Sequence, residues 1–242
     1  MTDSPIPSAL ADDTVGLLEG LCSTRAIRRY TNEAIPAAAL RDILFAATRA
    51  PSGSNRQPFR FLVLQDGAKA QTAKRLIQES AVAFWQEKKR ADGYSKGSGQ
   101  DPNSPKAKMA RVMDQYVENF AAAPVLVLPC LVRYREPQLI EGASMYPAVQ
   151  NLLLAARALG YGGVITGFHG GVVEELTRLL EIPDNAEIAC TVTLGRPAGG
   201  HGPVRRRPMT ELVFGEQWAQ APAWAQDPAG TRYTQAGPPK QK

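Results

Sequence analysis

One globular domain that mixes helices and strands, with an arm at each end, is the fold class the sequence predicts. Three observations carry it. First, 242 residues with 44% hydrophobic and 21% charged side chains are enough to bury a sizeable core. Second, runs with a helical period alternate with short apolar runs bounded by proline and glycine. Third, both ends lack such patterning: Pro5 and Pro7 interrupt residues 1–11, and the chain beyond Gly195 is rich in Pro, Gly and Arg.

The elements follow in order. Residues 13–21 have the pattern of a short helix. Next comes Thr24-Arg25-Ala26-Ile27-Arg28-Arg29-Tyr30, three arginines around one apolar residue. In extended geometry Ala26 and Arg28 share a face, and in a turn Arg25 and Arg28 converge. Pro36 suits the first position of a helix. Leu40, Ile43, Leu44 and Ala47 then repeat at buried-face spacing, so a helix is expected over 36–49. Pro51 ends it, because the residue before a proline avoids helical backbone.

Residues 59–64 read as a strand, 68–89 as a helix, and 90–106 as a mobile loop of Gly, Ser, Lys, Asp and Pro. A further helix over 107–121 carries Met109, Val112, Met113 and Tyr116 on one stripe. Pro124 opens a strand over 125–132. The long helix ending at Leu159 starts between 141 and 146, since Pro147 is tolerable only near a first turn, and Gly160 is its C′ residue. A short helix over 172–180 and a strand over 188–194 follow. Trp218 and Trp224 are isolated apolar anchors in the tail, which favours a tail lying across another surface.

Composition excludes several classes. The net charge of +5 suits anionic ligands such as phosphates, but the basic residues are dispersed and not interleaved with aromatics, which argues against nucleic acid. Cys22, Cys130 and Cys190 are far apart and odd in number, so neither a disulfide framework nor a thiolate metal site is expected, and a reducing compartment is the natural setting. No stretch reads as a signal peptide and no apolar run spans a bilayer; a soluble, cytoplasmic protein is expected. His169 and His201, the two histidines, do not have metal-ligand spacing. There is no G-x-S-x-G elbow and no P-loop. Gly160-Tyr161-Gly162-Gly163-Val164-Ile165 has Ile where a dinucleotide fingerprint needs glycine, and it follows a helix rather than opening one.

What remains is a set of polar clusters. Arg25 and Arg28 form one, and Arg205-Arg206-Arg207 another; guanidinium groups bind phosphate through paired hydrogen bonds. Pro51-Ser52-Gly53-Ser54-Asn55-Arg56-Gln57-Pro58 offers hydroxyl and amide groups that both donate and accept, as a flat heteroaromatic ligand requires. Gly162-Gly163-Val164-Ile165-Thr166-Gly167 has glycines that let backbone approach a ligand closely.

In this order the motifs resemble the FMN-dependent nitroreductase family. The likeness runs through Arg25-Ala26-Ile27-Arg28-Arg29-Tyr30, Ala50-Pro51-Ser52-Gly53-Ser54-Asn55-Arg56-Gln57-Pro58-Phe59, the helix from Glu141 to Asn151 with Ala158-Leu159-Gly160-Tyr161-Gly162, and Arg205-Arg206-Arg207-Pro208-Met209. It covers residues 21–213. The resemblance implies an α+β fold in three layers, a central, mostly antiparallel sheet between helices, and an intertwined homodimer with FMN at the subunit interface. Residues 1–20 would be an arm and first helix, 81–122 a lid insertion in the FMN-binding domain, and 214–242 an arm wrapping the partner.

By position, Arg25, Arg28, Arg207 and more weakly Arg205 would hold the FMN phosphate. Ser52, Ser54, Asn55 and Gln57, with Pro51, would line the ribityl chain and ring. Thr166 and Gly167, after Ile165, would place a backbone N–H near flavin N5. Ala26 stands where the family often has serine, which removes a side-chain hydrogen bond and keeps the backbone N–H. The implied activity is ping-pong hydride transfer from NAD(P)H through flavin N5 to nitroaromatics, quinones or similar acceptors. NADPH is slightly favoured because of Lys88, Lys89 and Arg90 on the insertion. A flavin store or sensor without turnover, or a related chemistry such as reductive dehalogenation, is the alternative.

Overall fold

A computed structural model describes residues 14–136 and 138–234. The expected arm over 1–11 and the last eight residues of the tail lie outside the described residues, as does the first residue of the expected helix over 13–21. The elements are α1 (Leu17–Ser23), α2 (Ala37–Ala47), β1 (Phe59–Leu64), α3 (Ala68–Ala91), α4 (Pro105–Glu118), β2 (Val125–Val132), α5 (Gly142–Ala158), β3 (Gly162–Thr166), α6 (Val173–Leu180), β4 (Ala186–Ile188) and β5 (Thr191–Gly195).

The sheet runs β1-β2-β5-β3, with β4 also on β2, and every pairing is antiparallel. Strand β2 is the axis because its apolar run is buried on both faces. Val125, Val127 and Leu131 point into one core with α2 and α5, through Ile43, Val149 and Leu152. Leu126, Leu128 and Cys130 point into the other with α3, α4 and α6, through Ile77, Val117 and Leu176. This two-residue alternation builds the three-layer α+β arrangement that the resemblance implied.

Two local outcomes in the sheet differ from expectation. The strand expected over 188–194 breaks into β4 and β5. Pro129 accepts a hydrogen bond from the Ala189 N–H at 2.8 Å but has no N–H to return, so the ladder is interrupted opposite Ala189 and Cys190. Glycine-rich β3, read as a polar cluster, is a full strand paired from Gly162↔Gly195 to Thr166↔Thr191. Helix α5 begins at Gly142, inside the expected range of 141–146, with Pro147 as its sixth residue. The carbonyl this leaves without a helical donor is that of Ala143, an exposed residue.

The C-terminus of α5 matches expectation. Gly160 has φ +80, its N–H donates to Arg157 O, and the Tyr161 N–H donates to Ala156 O at 2.7 Å, the paired bonds of a Schellman turn. The expected mobile loop over 90–106 is a series of hydrogen-bonded turns. A Cβ on Gly99 would lie 1.9 Å from Tyr94 O, so only glycine fits there. Ser104 caps α4 by accepting the Ala107 N–H at 3.0 Å. Trp85, 2% exposed, ties α3 to α4 through an Nε1–H bond to Asp114 Oδ1 at 2.7 Å.

Beyond β5 the chain is bridged to Tyr30 at Pro197, and the Val204 N–H donates to Cys22 O. Past that point the segment closes on itself: Arg206 bridges Tyr233, and the Met209 N–H reaches Asp227 Oδ2 at 3.0 Å. Trp218 and Trp224 are left 85% and 69% exposed, so within one chain these rings cover no other surface. No described helix is long and apolar enough to cross a membrane.

Candidate active site

The segment over 25–30 is held by the body of the protein. The Ile27 N–H donates to Gly163 O at 2.9 Å, and Arg29 O accepts the Ala198 N–H at 3.0 Å. Ile27 is buried against Gly162, where an added Cβ would lie 2.6 Å from Ile27 Cγ1. At Gly163 it would lie 2.4 Å from Thr193 O. These two glycines therefore answer to the chain's own crowding, not to a ligand. In that run only Gly167, just past the end of β3, has open space where a side chain would stand.

Arg25 and Arg28 line one cavity of about 410 Å³ with Ala26, Met109, Val112 and Pro197. Arg25 Nη2 donates to Gly200 O at 2.8 Å. Arg28 Nε is buried and has no hydrogen-bond partner. A buried guanidinium N–H without an acceptor costs about 1–3 kcal/mol, so the donor is suited to an anionic oxygen supplied from outside the chain.

Behind this cavity lies a hydroxyl network with forced directions. Tyr30 OH donates to carbonyls, Ile27 O at 2.6 Å and Thr193 O at 3.1 Å, which uses its one hydrogen. Its 2.8 Å contact with Thr193 Oγ1 must then be donated by Thr193. Tyr116 OH, 2.9 Å from the same oxygen, must therefore donate to it. Burial pushes both phenols well above their ordinary range, with the Thr193 hydrogen bond and the Arg28 charge pulling back. Neither phenol is a proton donor to a ligand; together they fix α4 to the arginine segment. Two residues along β5, Thr191 Oγ1 lies 2.5 Å from Thr166 Oγ1 and anchors the end of β3. Ile165 beside it is exposed.

The loop over 52–57 is built differently. Ser54, Asn55 and Gln57 all have left-handed backbone, with φ of 52, 52 and 51. Three such non-glycine residues in six are strained, a condition that clusters at functional sites. Ser52 Oγ accepts the Gln57 N–H at 2.9 Å, and Gln57 Nε2 donates to Asn55 Oδ1 at 3.1 Å. Apart from half-buried Ser52, residues 51–57 are exposed. The loop is docked by the Gly53 N–H on Ser144 Oγ at 3.2 Å, at the start of α5.

The arginine segment sits at the other end of that helix, where Arg157 donates to Ser23 Oγ at 3.3 Å and Arg25 lies beside Gly202. From Ser144 to Arg157 the helix rises about 20 Å. The structure thus gathers Arg25, Ala26 and Arg28 in one place and Pro51, Ser52, Ser54, Asn55 and Gln57 in another, and does not bring the two together within one chain. Arg205 and Arg207 join neither group. Arg207 Nε is bonded to Glu211 Oε2 at 2.6 Å and borders a separate cavity with Tyr233, while Arg205 is exposed. Near the end of α3, Lys88 pairs with Asp92 and Lys89 with Asp114, both at 2.8 Å, so two of the three cations expected to favour NADPH are neutralised by their neighbours.

A family model described as the nitroreductase family matches residues 22–196. The chain belongs to the nitroreductase family. A curated relative from Thermus thermophilus, named NADH dehydrogenase, is 31% identical over 195 residues, covering 78% of this chain and 91% of its own. A 4-nitrobenzoate reductase from Nocardioides is 27% identical over 200 residues, covering 73% and 78%. Among solved structures, a protein assigned as a nitroreductase from Desulfovibrio desulfuricans, determined in complex with FMN, superposes with a TM-score of 0.59 at 28% identity, covering 85% of this chain and 99% of that one. The NADPH:FMN oxidoreductase of Vibrio harveyi shares the fold, with a TM-score of 0.59 at 22% identity over 83% and 77% of the two chains. This nitroreductase-family chain is an oxidoreductase.

Sequence reasoning missed Tyr30, Tyr116 and Thr193. The alternation Thr191-Val192-Thr193 places both hydroxyls on one face of a strand and is the signal that could have found the threonines. Nothing local marks Tyr116 as their partner, since it is 77 residues from Thr193.

Proposed function

We propose that the chain is an FMN-dependent NAD(P)H oxidoreductase working as a homodimer, with each flavin held between residues 25–28 of one copy and the loop 52–57 of the other. The observation that carries this reading is the separation of the two groups by the length of α5, about 20 Å. A two-fold partner brings the opposite end of its own helix to the gap. The buried, unpartnered Arg28 Nε and the 410 Å³ cavity fit a phosphate, and the FMN complex of the Desulfovibrio relative supports the choice of flavin.

When bound, FMN supplies hydride acceptance from reduced nicotinamide at N5 and donation to an electron-poor acceptor. The chain's residues supply position. Arg25 and Arg28 hold the phosphate end. Ser52, Ser54, Asn55 and Gln57 of the other copy present donors and acceptors to the ring. The open backbone at Thr166 and Gly167 leaves room for an N–H facing the flavin, while the Thr166 hydroxyl is engaged by Thr191. Arg205 and Arg207 reach the phosphate only if Arg207 exchanges Glu211 for it. The Nocardioides relative's name supports a nitroaromatic acceptor.

The test is an anaerobic absorbance scan of purified protein together with its mass in solution. Flavin bands that bleach with NADPH and recover with a nitroaromatic, in a particle of twice the chain mass, are expected. Bound flavin that resists both nicotinamides would instead favour a flavin store. A monomer with full flavin occupancy would defeat the shared-site reading.

A further inference from the structure

We propose that a second phosphate-binding site, centred on Lys74 and Arg75 of α3, lies at the far end of the adjoining cavities that begin at Arg25, and that it receives the 2′-phosphate that NADPH carries and NADH lacks. The identity of the ligand rests on the oxidoreductase reading; the site itself does not.

Lys74 is 4% exposed, and its ammonium is bonded only to carbonyl oxygens, Ala123 O at 2.8 Å and Pro124 O at 3.4 Å. No carboxylate lies within ion-pair distance of it among the described residues. Buried cations are ordinarily paired. Burial pulls this one below its ordinary range, and only the field of Asp66 opposes that. With two of its three N–H groups on carbonyls, Lys74 has one left, and it borders a cavity of about 480 Å³. Arg75 borders the same cavity, bonded only to Thr72 Oγ1 at 3.3 Å, and Asn32, Gln65 and Gln71 add amide donors. Asp66 is the one acid on its wall.

The cavity is not isolated. Asn32, Ala122 and Ala123 also line a middle cavity of about 350 Å³, which in turn shares Arg28 and Arg29 with the cavity at Arg25. The three cavities adjoin through these shared residues along the segment over 25–32, and their linings carry Arg25, Arg28, Arg29, Lys74 and Arg75 with Asp66 as the one acid. Lys88 and Lys89 of α3 are already paired with carboxylates, whereas the cations lining the three cavities are in no ion pair among the described residues.

The experiment is calorimetric titration of the protein as purified with adenosine 2′,5′-bisphosphate, adenosine 5′-monophosphate and inorganic phosphate. It is done on the parent, on Lys74→Met, which keeps side-chain volume, and on Arg75→Ala, whose side chain is exposed and whose folding is not at risk. The bisphosphate is expected to bind about tenfold more tightly than the monophosphate, and each substitution to remove about that factor. In turnover, KM for NADPH should rise with kcat unchanged and NADH kinetics untouched. If inorganic phosphate binds as tightly as the bisphosphate and with the same dependence on both residues, the site stands but free phosphate is its source. Binding that is indifferent to both substitutions, or absent for all three probes, overturns the site. Because the titration needs no turnover, a protein that failed to oxidise NADPH would defeat the proposed function and leave this test standing.

Discussion

The arginine segment over 25–30 and the loop over 52–57 are both polar and both lie near the sheet, yet they are built on opposite plans. The first is bonded to β3 and to the irregular segment that follows β5, over two glycines that tolerate no Cβ. Its functional groups protrude from a surface the chain itself completes. The second is bonded mainly to its own atoms, strained at three residues and exposed. It is docked by the Gly53 N–H on Ser144 Oγ, by Arg60 Nη1 on Gln57 O at 3.0 Å, and by Arg56 stacked over Tyr134. One chain completes the surroundings of the first cluster by its own packing and leaves the second open to solvent. On the proposed reading, the segment meant for the phosphate is formed by intrachain packing, whereas the loop meant for the ring is a presentation surface that needs another copy to complete it.

The largest effect is expected where the first region is crowded. In Gly163→Val the added atoms meet Thr193 O and Leu194, and unfolding free energy should fall by about 3 kcal/mol in urea denaturation. Gly167→Ala, with nothing within 4 Å of the added carbon, should change it by less than about 0.5 kcal/mol. Equal losses at the two positions would erase the distinction between a crowded and an open glycine.

Arg28→Ala comes next. FMN affinity, read by fluorescence titration, should drop by about 1.5–3 kcal/mol with the loss of a charge-assisted bond. Stability of the flavin-free chain should hold or rise, since a buried N–H without an acceptor disappears. Unchanged affinity would place the phosphate elsewhere.

The sheet beneath both regions gives a pH prediction. Burial pushes Cys130 up to about 11 and Cys190 up to about 12, with Cys130 adding to the latter. Because the folded values lie above the unfolded ones, this contribution is fully present below pH about 9 and is lost as pH rises through the folded values. Stability should therefore fall between pH 9 and 11, by on the order of 1 kcal/mol per thiol at pH 10. A flat profile through that window would show that the thiols are hydrated.

The smallest effect on stability is expected in the loop. Asn55→Gly removes left-handed strain and adds unfolded-state entropy, so the apo chain should change by no more than about 0.5 kcal/mol. FMN retention should nonetheless fall. A large loss of apo stability would make the loop part of the chain's own packing.

Much of the fold was legible because its cues are local. Strands β1 and β2 are where their apolar runs put them, and α3 extends two residues beyond its expected end. What failed locally failed for nameable reasons. The glycines of β3 mimic a turn because their role is to admit Ile27 and the β5 backbone. The break between β4 and β5 depends on a proline in another strand. The hairpin over 91–104 reads as mobile because its order comes from Gly99 passing close to Tyr94 and from the Ser104 cap, where composition suggests looseness. Of the candidate site, the sequence named the residues but not their grouping. Arg207 is held by Glu211, four residues on, Lys88 by Asp92, and Lys89 by Asp114 of α4.

By itself, then, the sequence determined the helices and most strands, the Schellman turn at Gly160, the order of the motifs and the family they resemble. Periodicity, proline and glycine act through neighbouring residues, so they can be read without knowing where the chain goes. The tertiary structure alone decided that α5 holds the two candidate clusters apart and that Tyr116 reaches Thr193. It also decided that Lys74 is buried without an ion-pair partner among the described residues, beside a cavity that adjoins those of the arginines. Those facts depend on which residues meet across long stretches of chain, and packing of the two cores against the sheet is what sets the meetings.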